Sequence, residues 1–82
     1  MEKQELIAKI NEILAEEFEV ELSSITPDAN IKKTLMLDSL SLVDMVALIE
    51  SNFGVGIKGS EVAGIQTFDA LYDFIFERME KS

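Results

Sequence analysis

Residues 35–57 read LMLDSLSLVDMVALIESNFGVGI, and the spacing of apolar side chains within this stretch decides the fold. Leu42, Met45, Val46, Ile49 and Phe53 recur at intervals of three and four. That spacing gathers them into a stripe about 100° wide on one side of a helix. Asp38 or Ser39 can cap the start, because a short polar side chain there accepts a hydrogen bond from an otherwise unpaired amide. Gly54 follows the last periodic residue, where glycine readily takes the left-handed conformation that closes a helix. The stretch therefore predicts a helix over 39–53. Leu40, Val43, Ala47 and Leu48 fall outside the buried arc and surround Asp44. With Asp38 and Glu50 they make an acidic surface with apolar patches, a composition suited to a basic, partly apolar partner.

Working outward, Leu6, Ile7, Ile10, Ile13, Leu14 and Phe18 give a second amphipathic helix over 4–18. Its other face is charged, and residues 1–22 hold seven acids against Lys3 and Lys9, which reads as a solvated face. Thr67 caps a last helix with Asp69 in its favourable first turn and Phe68, Leu71, Tyr72, Ile75 and Met79 as its buried stripe. Ser60 to Ala63 fit one short helical turn, stopped by Gly64. Between the first two helices, residues 19–37 lose periodicity and contain the single proline, in the turn signature Thr26-Pro27-Asp28-Ala29-Asn30. This segment reads as a long connecting loop. Its Val20, Leu22, Ile25, Ile31, Leu35 and Leu37 predict that it packs across the helices, since a disordered linker has no use for them. Asp28-Ala29-Asn30 does not open a calcium loop, because Lys32 and Lys33 stand where such a loop needs an oxygen ligand and a glycine. The fold class expected is all-α: a single domain over 1–82, a bundle of three main helices plus one short helix.

Composition narrows the function. The 82 residues are 48% hydrophobic, and 16 acids against 7 bases give a net charge of −9. A charge of that sign disfavours nucleic acid, whose phosphates call for a basic surface. Cysteine and histidine are both missing from the sequence, which removes disulfides, thiolate metal sites and the commonest general base. No metal site and no catalytic residue is expected. The charge-dotted N-terminus lacks the apolar core of a signal peptide, and no apolar run approaches the roughly 18 residues of a membrane span. A cytoplasmic monomer is the expectation.

The segment Leu35-Met36-Leu37-Asp38-Ser39-Leu40-Ser41-Leu42-Val43 places an Asp-Ser-Leu motif at the mouth of an amphipathic helix, after a long loop. It is followed by an exit of Glu50, Phe53, Gly54, Val55 and Ile57 and by a final helix opening at Thr67-Phe68. In these features the chain resembles the acyl carrier proteins over nearly its whole length. The resemblance implies a carrier rather than an enzyme. Ser39, between Asp38 and Leu40, would carry 4′-phosphopantetheine, donated by coenzyme A under a phosphopantetheinyl transferase. The arm's thiol would hold acyl groups as thioesters and pass them between enzymes of fatty acid or related lipid or polyketide biosynthesis. A phosphodiester at a helix N-terminus sits near unpaired amides and the positive end of the macrodipole, which suits the position.

The same resemblance implies that synthases and acyl-transferring enzymes dock basic patches on Leu40, Val43, Asp44, Ala47 and Glu50, with Glu61 on the short third segment. It also implies that the acyl chain slips among core residues such as Leu42, Val46, Ile49, Ile57, Ile65 and Leu71. The chain departs from the family pattern at Met36, where many members have glycine, so the loop there is expected to differ. Ser41, Ser51 and Asn52 replace residues that are often acidic and make the docking helix less negative. The competing reading is an unmodified acidic helical adaptor that binds a basic partner through the 39–53 helix, with Ser39 a plain cap. A serine hydrolase is disfavoured, since only Lys32, Lys33 or Lys58 could act as base for Ser39.

Overall fold

The computed structural model describes residues 2–81. Three long helices occupy the segments that the apolar stripes single out: α1 (Lys3–Glu17), α3 (Ser39–Phe53) and α5 (Phe68–Lys81), with short helices α2 (Ile31–Leu35) and α4 (Gly59–Ala63) between them. Leu6, Ile10 and Leu14 of α1, Met45, Val46 and Ile49 of α3, and Phe68, Leu71, Tyr72 and Ile75 of α5 meet in one core. Helix α1 packs along α5, and α4 lies against α3. Among the described residues no buried side-chain nitrogen or oxygen lacks a hydrogen-bond partner, so the core is apolar without internal penalty.

The segment after α1 turns through Glu19, whose φ of 54° is left-handed, while the Val20 amide bonds the Ala15 carbonyl at 3.1 Å. What the sequence presents as one long loop contains a 3-10 turn (Leu22–Ser24) and the five-residue helix α2. Asn30 caps α2 by accepting the Lys33 amide at 2.9 Å, and Ile31 and Leu35, one helical turn apart, are both buried. The loop packs through Ile25, Ile31 and Leu35, with Val20 and Leu37 half-buried, but Leu22, expected to pack with them, stands 57% exposed in the 3-10 turn. The loop is also tied to the start of α5: the Ile31 amide donates to the Gln66 carbonyl at 2.9 Å and the Asp69 amide to the Pro27 carbonyl at 2.9 Å. Thr67 caps α5 as expected, its hydroxyl accepting the Ala70 amide at 3.3 Å. The effect is to seat α2 beside the mouth of α3, where the candidate site lies.

Met36 ends α2 in the left-handed conformation, with φ 55° and ψ 48°. A glycine takes that conformation freely, whereas a side chain there costs roughly 1–2 kcal/mol. The loop thus turns as a glycine would allow, with the methionine carrying the strain. Gly54 closes α3 in the same region at φ 66°, as its position past Phe53 predicts.

Candidate functional site

Asp38, not Ser39, is the cap of α3. Its carboxylate accepts the Ser41 amide at 2.8 Å, and this bond is the chief reason its pKa lies below the usual carboxylate value. Ser39 is consequently the first residue inside the helix, and its side chain is exposed. Its hydroxyl makes no hydrogen bond to another described residue, whereas Ser41, two positions on, is half-buried. The arrangement frees one serine oxygen at the positive end of a 15-residue helix.

Beside Ser39 runs a shallow groove of about 430 Å³ lined by Lys32, Leu37, Asp38, Leu42 and Ala63. It is formed where α2, α3 and α4 converge, so the loop that ties α2 down also builds one wall. Its size falls within the roughly 300–1,000 Å³ of small-molecule clefts.

The residues expected to meet partners divide into two groups. Leu40 is 78% exposed and Val43 60%, and with the exposed Asp44 and Ala47 they form one outward face of α3 next to Ser39. Met36, 85% exposed, extends the apolar surface around the helix mouth. Nothing in the sequence signals that prominence, since an apolar residue in a loop gives no sign of facing solvent. The other two acids are engaged within the chain. The Glu50 carboxylate accepts the Ile57 amide at 3.1 Å, and that of Glu61 accepts the Lys58 amide at 3.1 Å and pairs with Arg78. Those two bonds, the Lys58 amide first, hold Glu61 below the usual carboxylate range. Residues 29–65 contain four acids against Lys32, Lys33 and Lys58, whereas residues 1–28 contain eight against Lys3 and Lys9. The segment that holds Ser39 is therefore nearly neutral, at −1, against −6 for residues 1–28.

Of the residues proposed to line a path for an acyl chain, Val46, Ile49, Ile57 and Leu71 are buried in the core, while Leu42 and Ile65 are partly buried at its edge. Leu42 connects the groove at Ser39 to that core.

A family model described as the phosphopantetheine attachment site matches residues 8–75, which include α3 whole and the groove around Ser39. The chain belongs to the acyl carrier proteins. An acyl carrier protein of Rubrobacter xylanophilus is 35% identical over 77 residues, covering 94% of this chain and 95% of that one. A meromycolate extension acyl carrier protein of Mycobacterium leprae is 34% identical over 80 residues, 98% of this chain and 70% of the relative. A crystal structure of an acyl carrier protein from Thermotoga maritima matches with a TM-score of 0.79 at 30% identity, covering 99% of this chain and 94% of that one. As an acyl carrier protein the molecule is a carrier and not a catalyst, and its cofactor is covalently held 4′-phosphopantetheine. The groove and the free serine hydroxyl fit that group, since a tethered phosphodiester needs an exposed oxygen and room beside it. Among the described residues no helix is long and apolar enough to cross a membrane.

Proposed function

We propose that Ser39 is the residue of this acyl carrier protein that holds 4′-phosphopantetheine. The observation that carries the reading is the division of labour at the helix mouth: Asp38 takes the capping bond, which leaves the Ser39 hydroxyl exposed and without an internal partner. The bound arm supplies a thiol that holds acyl groups as thioesters, a sulfur the chain itself lacks. Asp38 holds the first turn of the helix, and Leu40 and Val43 present an apolar contact beside the modified residue.

The partners are a phosphopantetheinyl transferase and the acyl-transferring and synthase enzymes of fatty acid or related lipid or polyketide biosynthesis. They close on Leu40, Val43, Asp44 and Ala47, with Asp44 as the acid best placed to meet a cation, because the Glu50 and Glu61 carboxylates are already bonded. The carrier works as a cytoplasmic monomer that visits one enzyme at a time.

Incubation with a broad-specificity transferase, magnesium and coenzyme A tests the assignment by intact mass. The expected result is a gain of one phosphopantetheine in the native sequence and none in Ser39→Ala. Because Asp38 supplies the cap, Ser39→Ala keeps its helical circular dichroism, so a lost gain is not lost folding. A gain in Ser39→Ala, or none in the native protein, overturns the proposal.

A further inference from the structure

The groove beside Ser39 contains one cation, and no carboxylate holds it. Among the described residues the ion pairs are Lys3 with Asp73 and Arg78 with Glu61, so Lys32, in the groove wall contributed by α2, is left without an acidic partner. Lys33 is the next residue and points about 100° further round that helix.

A phosphodiester on Ser39 meets an electrostatic problem that this lysine answers. The N-terminus of α3 favours an anion, but the Asp38 carboxylate already occupies it, bonded to the Ser41 amide. The second negative charge, one residue away, is repelled by the first, and a cation close to both offsets that repulsion. Residues 29–65 offer three bases, and of these Lys32 alone lines the groove with Asp38 and Ser39. We infer that the Lys32 ammonium is the counter-charge for the phosphodiester of the prosthetic group, an inference that rests on Ser39 being the attachment residue. Lys32 is thus a binding residue for the arm, holding its phosphate end against the α2 side of the groove.

The test compares the native sequence with Lys32→Gln, Lys32→Arg and Lys33→Gln, each loaded with phosphopantetheine and checked by intact mass. The readouts are the phosphorus-31 resonance of the loaded protein and the difference in melting temperature between loaded and unloaded forms at low salt. Lys32→Gln is expected to move the resonance and to lower the loaded-minus-unloaded difference by about 1–4 °C. Lys32→Arg should restore both, and Lys33→Gln should leave both near the native values. A resonance and a melting difference unchanged in Lys32→Gln, or changed equally in Lys33→Gln, overturn the inference alone. A native protein that gains no mass overturns the assignment of Ser39 and the inference with it.

Discussion

The Glu50 carboxylate accepts the backbone amide of Ile57 at 3.1 Å, seven residues further along the chain. The bond spans the end of α3 and fastens the loop that delivers Val55 and Ile57 into the core. An acid that the family resemblance assigns to docking therefore has a structural task here. Glu50→Ala is expected to cost about 1–2 kcal/mol in urea unfolding, the worth of a part-buried hydrogen bond to a charged acceptor. Glu50→Gln, which keeps an acceptor oxygen, should lose less. Faster hydrogen exchange at Ile57 in Glu50→Ala would locate the loss, and protection equal to native would contradict it.

Met36 makes the reverse prediction. It is 85% exposed and left-handed, so it contributes strain and little packing. Met36→Gly removes roughly 1–2 kcal/mol of left-handed strain and adds chain entropy to the unfolded state. The balance is a stabilisation of about 0.5–1 kcal/mol, measurable by urea denaturation. A destabilised Met36→Gly would contradict the reading of the backbone.

Asp38 titrates below its ordinary value because the folded state donates the Ser41 amide to its charged form. Its folded pKa is depressed, so its contribution to stability is present above the unfolded value of about 3.9 and is lost as pH falls through the folded one. The stability difference between the native sequence and Asp38→Ala should be steady from pH 7 to 5 and shrink as the pH falls below about 4. Melting curves across that range check it. A difference that persists undiminished at the acid end would contradict the cap.

Net charge sets a response to salt. Eight of the 16 acids lie in residues 1–28, where Glu12, Glu16 and Glu17 share the exposed side of α1. Their mutual repulsion is screened as the Debye length falls from about 30 Å at 0.01 M to about 10 Å at 0.1 M. The melting temperature should rise over that interval. A flat or falling trend would show that repulsion does not limit stability.

The long helices were legible because their stripes repeat over three or more turns, as Leu6, Ile10 and Leu14 do in α1. Helix α2 was not, because five residues offer a single apolar pair, Ile31 and Leu35, although Asn30 ahead of that pair was a usable cap signal. The site was legible as the Asp-Ser-Leu motif, but which of Asp38 and Ser39 caps depends on backbone angles that composition does not set. The internal roles of Glu50 and Glu61 were hidden for a different reason. Arg78 reaches Glu61 and the Gly56 carbonyl, the latter at 3.2 Å, from 17 and 22 residues away on another helix. Pairings of that kind follow from packing and carry no periodic signal.

Attachment of the prosthetic group to the Ser39 oxygen is tested most directly by locating the added mass within the sequence. Trypsin releases residues 34–58 as one peptide holding Ser39, Ser41 and Ser51, so electron-transfer fragmentation of the loaded protein can assign the group among them. With the group on Ser39, every fragment containing Ser39 is expected to carry the added mass and fragments beginning at Leu40 to carry none. Phosphopantetheine on Ser41, Ser51 or a serine outside this peptide would contradict it.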